Sequence, residues 1–115
     1  MPSGALRSLR GAAPVFAALG DEVRLRVVAR LSDEGPLSIA KLATDSGVSR
    51  QAISKHLRVL EGAGLVRGGK DGRERIWELS PERLQEARRH IDTISAHWDE
   101  TLGRLKRFVE ADDGS

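Results

Sequence analysis

No cysteine occurs in this chain, and its aromatic complement is two tryptophans and two phenylalanines in 115 residues. The first absence removes disulfides, thiol catalysis, thiolate metal sites and thiol redox sensing together. The second means that the core must be built from Leu, Val, Ile and Ala, which leans helical. No apolar run approaches the ~20 residues needed to span a bilayer. Arg7 and Arg10 fall where the hydrophobic segment of a secretory signal would sit, so secretion is not expected and the expected location is the cytoplasm. There is no His-Glu-x-x-His run and no phosphate-binding glycine loop, so an enzyme is not expected. The length suits one domain with a modest core.

Charge is present, and its distribution is informative. From Val48 to Arg75 seven basic residues face three acids, a balance of +4 in 28 positions, which leaves −2 for the rest of a chain whose total is +2. A basic centre with acidic surroundings suits a polyanion better than a membrane.

The stretch from Leu37 to Leu65 reads as two helices joined by a tight turn. Ser38 is a candidate N-cap, and Ile39, Leu42 and Ala43 form one apolar face. Ser46-Gly47-Val48 breaks that helix, Gly47 being able to take a positive φ at low cost. Ser49 then caps a second helix, with Ile53, Leu57 and Leu60 inward until Gly62 and Gly64 end it. Its other face shows Arg50, Gln51, Ser54, Lys55 and Arg58, with no acid between Ser46 and Leu60. His56 lies in the same helix and reads as a helix-packing or phosphate-contacting side chain. A short helix, a glycine-containing turn and a basic second helix make a helix-turn-helix, whose second helix would enter a DNA major groove.

The next segment, Leu65 to Leu79, reads as a β-hairpin about Asp71-Gly72, with Ile76, Trp77 and Leu79 as strand residues. Lys70, Arg73 and Arg75 make its tip basic, and Gly68-Gly69 reads as flexibility at the strand end. A basic hairpin directly after such a helix is a wing, able to straddle the backbone beside the groove. The expected DNA-binding residues are therefore Ser49, Arg50, Gln51, Ser54, Lys55, His56, Arg58, Lys70, Arg73 and Arg75.

Upstream, residues 1–11 read as a loose arm, followed by a short helix over Ala12–Leu19 and a second from Asp21 to about Leu31. In the latter Val23, Val27, Val28 and Leu31 face inward, while Arg24, Arg26 and Arg30 point elsewhere. Downstream, Ser80-Pro81 starts a long helix over about 81–109. Its apolar or small positions fall at 84, 87, 91, 94, 98, 101/102, 105 and 108/109, an alternation of three and four that forms a heptad seam. Twenty-six residues span ~39 Å, so the far half outruns the domain. A second copy of the chain is the expected cover, meeting it at Ile91, Ile94, Trp98, Leu102 and Leu105. Residues 110–115 read as a frayed tail. The fold class is thus mainly α with a small β-hairpin: a winged helix-turn-helix dimerised through a long terminal helix, with 12–109 as its one domain.

With these residues in place the sequence resembles the ArsR/SmtB family of bacterial winged-helix repressors. The resemblance is carried by ALGDEVRLRVVARL, VSRQAISKHLRVLEGAGLV and GRERIWEL, and with the terminal helix it covers roughly residues 12–109. It implies a homodimer that binds double-stranded operator DNA, represses its own promoter and is released by an inducer. The family's familiar metal sites do not carry over. Where some members have Cys-x-Cys, this chain has Ser38 and Ala40. Where others begin the last helix with an acid and a histidine, it has Pro81 and Arg83. No cofactor and no metal are therefore expected, and the inducer is unknown. One alternative is a metal-responsive repressor in which His97 and Glu100 share an ion with His90 of an antiparallel partner. The other is an architectural DNA-binding protein that coats rather than regulates.

Overall fold

Local capping chemistry sets the boundaries of the elements. The computed structural model describes residues 3–113, in the order α1 (Ser3–Leu19), α2 (Glu22–Glu34), β1 (Leu37–Ser38), α3 (Ile39–Ala43), α4 (Arg50–Gly62), β2 (Val66–Asp71), β3 (Glu74–Leu79) and α5 (Pro81–Asp113). Asp21 has extended backbone and its Oδ2 accepts the Arg24 N–H at 3.0 Å, which caps α2. The N–H neighbour holds the Asp21 carboxyl below the usual carboxylate range, with the Arg24 guanidinium acting in the same direction. Gly35, at φ 82°, closes α2 by donating its N–H to the Leu31 carbonyl.

α4 ends in a Schellman motif. Gly64, at φ 77°, donates its N–H to Glu61 O at 2.9 Å, and Leu65 donates to Leu60 O at 3.0 Å. Only a residue at ease with positive φ closes that double bond cheaply, and the turn delivers Leu65 and Val66 straight into the core.

That core lies between the helices and the inner face of a small sheet. Ile53, Leu57, Leu60 and Leu65 are fully buried, with Val15 and Ala18 from α1, Val27 and Leu31 from α2, Leu42, Val66, Trp77 and Ala87 around them. Each fully buried Leu or Ile contributes roughly 1.5–3 kcal/mol relative to exposure. Val23, Val28 and Leu84 pack against this cluster, half-buried.

Three expectations are corrected. The first helix begins at Ser3, not Ala12, so 3–11 is helical backbone rather than a loose arm, and Pro14 lies within it. The hairpin is part of a three-stranded antiparallel sheet of order β1-β3-β2. Leu37 pairs with Trp77 and Ser38 with Ile76 on one edge, and Val66 through Asp71 pair with Leu79 through Glu74 on the other. Last, α5 continues to Asp113, past the expected end at 109; residues 114–115 of the proposed tail lie outside the described residues.

The α2 arginines also do more than face solvent. Arg24 donates from Nε to Ala18 O at 2.7 Å, which ties α2 to the end of α1. Arg30 donates to Lys41 O at 2.9 Å and Leu42 O at 3.3 Å, which ties α2 to α3. Arg30 also holds the Glu34 carboxyl below its ordinary range. No helix among the described residues is long and apolar enough to cross a membrane.

Candidate nucleic-acid interface

The turn before α4 is built by short polar side chains. Ser46 Oγ donates to Ala43 O at 2.8 Å and accepts the Val48 N–H at 3.2 Å, so one hydroxyl spans the turn. Gly47 takes φ 78° as expected, and Asp45 joins it at φ 59°, a conformation that Asp tolerates better than most residues. Ser49 then accepts the Ala52 N–H at 3.1 Å and caps α4, as its sequence position implied. Ser38 does the same for α3, accepting from Lys41 N–H at 3.2 Å.

At about 100° per residue, Arg50, Gln51, Ser54, Lys55 and Arg58 fall within an arc of about 140° on α4. Ile53, Leu57 and Leu60 fall outside that arc, about 90–150° from its centre, and are fully buried. Arg50, Gln51, Lys55 and Arg58 are exposed and Ser54 is half-buried at the edge of the arc. Among the described residues no ion pair or side-chain hydrogen bond engages Arg50, Gln51, Lys55 or Arg58. The face is held by an anchored stripe behind it while its own donors are unspent.

His56 does not belong to that arc. It lies about 170° around the helix from the arc's centre. Its Nδ1 sits 3.4 Å from Arg24 Nη1 and 3.8 Å from Asp21 Oδ2, at the junction of α1 and α2. The helical wheel carries this signal.

In the wing, Lys70 and Arg73 are exposed beside the Gly72 turn, where φ is 66°. Arg75 is placed differently from expectation. Its guanidinium carbon lies 4.6 Å from the centroid of the Trp77 ring, and Nη2 is 3.6 Å from Glu61 Oε2. An aromatic face and a carboxylate both attract the cation, so it folds back over the sheet instead of joining the tip. Gly68 lies beneath it: a Cβ there would come 2.5 Å from Arg75 Nε, so a side chain at 68 would displace the guanidinium. Arg67 is paired with Glu78 at 2.8 Å, which raises the guanidinium's pKa further.

α5 leaves the core after its first turns. Ala87 is buried and Leu84 half-buried, whereas Ile91, Ile94, Trp98, Leu102 and Leu105 retain 42 to 59% exposure. Phe108 and Val109 continue the uncovered stripe. Among the described residues no three His, Asp or Glu side chains of one chain converge on a common point as a metal cage would.

Comparison with known proteins bears on this arrangement. A family model for a helix-turn-helix domain matches residues 19–68. The HTH-type transcriptional regulator Rv2034 of Mycobacterium tuberculosis is 36% identical over 95 residues, covering 83% of this chain and 85% of that protein. The solved ArsR-like transcriptional regulator from Rhodococcus sp. RHA1 is 39% identical, with a TM-score of 0.72, covering 87% of this chain and 93% of that one. The chain belongs to the ArsR/SmtB family. It is accordingly an ArsR-family DNA-binding transcriptional regulator and not an enzyme. A solution structure from Mycobacterium bovis, described as a homodimeric winged helix-turn-helix DNA-binding domain of a possible ArsR-family regulator, covers 87% of this chain and 89% of that one at TM-score 0.63. At 24% identity that likeness bears on the fold alone. This ArsR-family chain carries Ser38 at a position where some members have a thiolate, and here the side chain is committed to capping α3.

Proposed function

We propose that this regulator is a cytoplasmic repressor that binds a two-fold symmetric operator in its own promoter as a homodimer. The observation that carries the proposal is the coexistence of two unsatisfied surfaces. α4 presents an arc of exposed cations with one amide, Gln51, and α5 presents an apolar stripe that its own core does not cover. The three-and-four spacing of that uncovered stripe on a 33-residue helix supports assigning the second surface to another copy of the chain.

In this reading α4 lies in the major groove. Arg50 is the candidate guanine reader and Gln51 the candidate adenine reader, through bidentate hydrogen bonds to base edges. Ser49, Ser54, Lys55 and Arg58 flank them, and Lys70 and Arg73 of the wing contact phosphates beside the groove. Two copies related by the α5 seam, meeting at Ile91, Ile94, Trp98, Leu102 and Leu105, would present two α4 helices to matching half-sites. Occupied promoter DNA is then closed to polymerase. An architectural protein would coat DNA without a defined half-site, and the symmetry imposed by a dimer seam favours regulation.

The test is an electrophoretic shift with DNA from upstream of the protein's own gene against random duplex of equal length. Preference for the upstream fragment by ~10³ or more is the expected scale for specific binding. Equal affinity for both would overturn the operator reading in favour of coating. Repeating the shift with added zinc and with chelator tests the metal-responsive alternative at His90, His97 and Glu100. A metal-dependent loss of binding would support that alternative and overturn the expectation of a metal-free regulator.

A further inference from the structure

We propose that His56 is a positioning residue for DNA reading: through Nδ1 it holds the hidden side of α4 against the α1–α2 junction and so sets the angle at which the reading face meets the groove. This inference rests on the DNA-binding role assigned above to Arg50 and its neighbours.

The geometry has three connected parts. Asp21 Oδ2 accepts the Arg24 N–H at 3.0 Å, fixing the first turn of α2. Arg24 Nε donates to Ala18 O at 2.7 Å, so the same side chain is anchored on the end of α1. Its Nη1 then reaches 3.4 Å to His56 Nδ1, with Asp21 Oδ2 3.8 Å from that nitrogen. A guanidinium only donates, so the Arg24 contact is made with Nδ1 as an acceptor. One planar side chain thus bridges α1, α2 and α4, and His56 is the α4 member of the bridge. It is half-buried, and on the helical wheel it lies opposite the arc that faces DNA.

The stripe of Ile53, Leu57 and Leu60 resists separation of α4 from the core but tolerates small rotations about its own axis, because apolar contacts are not directional. A hydrogen bond off that stripe is directional. Bidentate base contacts need their donors placed within a fraction of an ångström, so a small rotation costs sequence preference first. Phosphate contacts, made by flexible Lys and Arg side chains, absorb it. His56 therefore bears on discrimination between sequences more than on attraction to DNA.

The experiment measures affinity for upstream and random duplex, each across a salt series, for the wild-type protein, His56→Leu, His56→Asn and Arg24→Met, with a thermal melt for each. Asn places its Oδ1 at the same point along the side chain as Nδ1, yet it has nothing at the position of Nε2. His56→Leu is expected to reduce the ratio of upstream to random affinity by about tenfold, with the salt slope unchanged. His56→Asn should recover most of that ratio. The double variant Arg24→Met/His56→Leu should lose no more than the larger single loss, because both remove one bridge. Should His56→Leu not fold, the Arg24→Met and His56→Asn pair still decides the matter through the same ratio.

Two results would overturn the inference. One is equal weakening on both duplexes with a shallower salt slope in both Leu and Asn variants, which marks a phosphate contact from Nε2. The other is an upstream-to-random ratio unchanged in every variant. Failure of the wild-type protein to bind either duplex would instead overturn the DNA-binding reading of α4, a separate outcome.

Discussion

Two helices in this molecule carry nearly the same kind of apolar stripe and meet opposite fates. In α4, Ile53, Leu57 and Leu60 have no exposed surface at all. In α5, Ile94 keeps 42%, Trp98 59% and Phe108 73% of theirs. Periodicity alone shows that a helix has a face to bury; it does not show against what. Length decides it here. The 13 residues of α4 fit across the core, whereas the 33 residues of α5 span about 50 Å and outrun it. The first stripe is therefore closed by folding, and the second is left open by it.

The sharpest way to break this contrast is to put charge into each stripe's territory. Replacing Ile94 and Trp98 together by Glu should weaken self-association by three or more powers of ten. Central aromatic anchors contribute ~2 kcal/mol or more each, and two-fold symmetry counts every substitution twice. The resulting chain should remain folded, since neither side chain contributes to the closed core. Sedimentation equilibrium checks the first point and near-ultraviolet circular dichroism of Trp77 the second; a dimer of unchanged dissociation constant would remove α5 from the interface. Leu57→Ala is the counterpart in α4. It should cost ~2–5 kcal/mol in unfolding free energy by urea titration, the range for a Leu deleted from a closed core.

Smaller effects separate the reading face from the wing. Gln51→Ala should cost ~1–3 kcal/mol on the operator and relax preference at one base pair per half-site. Unaltered affinity and preference would mean that the face is wrongly assigned. Arg73→Ala should make the slope of log K against log salt shallower by ~1.8, about 0.9 for each of two copies, with a similar factor lost on specific and random DNA. Arg75→Ala gives the internal control. It loses the Trp77 ring and Glu61, so the melting temperature should fall while the salt slope stays put.

The smallest effect concerns acid. The folded-state pKa of Asp21 is lowered, so the stability it contributes is fully present above its unfolded value, near 3.8, and is lost as pH falls through the folded value. Asp21→Asn should flatten the acid limb of a melting-temperature profile below about pH 4 and leave the neutral plateau's shape alone. An unchanged acid limb would show that other carboxylates carry the whole transition.

What the sequence made legible followed short-range chemistry. Ser38 and Ser49 as caps, the Gly47 turn and the hairpin at Gly72 each depend on residues within four positions, and each is found where its spacing put it. The polar arc of α4 is likewise a property of one helix. Features formed at long range were not legible. β1 is two residues long, too short for any alternation, and exists because β3 lies beside it. Arg24, Arg30 and Arg75 look like solvated charges in sequence; a carbonyl on α1, two on α3 and an indole ring on the wing redirect them. The small and polar character of 3–11, with Gly4 and Gly11 inside it, concealed a helical backbone continuous with the rest of α1.

Ser38 is at once a strand residue opposite Ile76 and the cap of α3. This has a consequence for the order in which the chain assembles. The α3–α4 turn and the β2–β3 hairpin close loops of a few residues and can form on the microsecond scale. The pairing of Leu37 with Trp77 instead closes a loop of about 40 residues, and loop entropy rises with the logarithm of that length. The helix pair and the wing are thus expected to form separately and to be latched together afterwards, at the residue that begins the motif. Substitutions at Leu37 should then speed unfolding while scarcely slowing refolding, the kinetic mark of a contact made after the barrier.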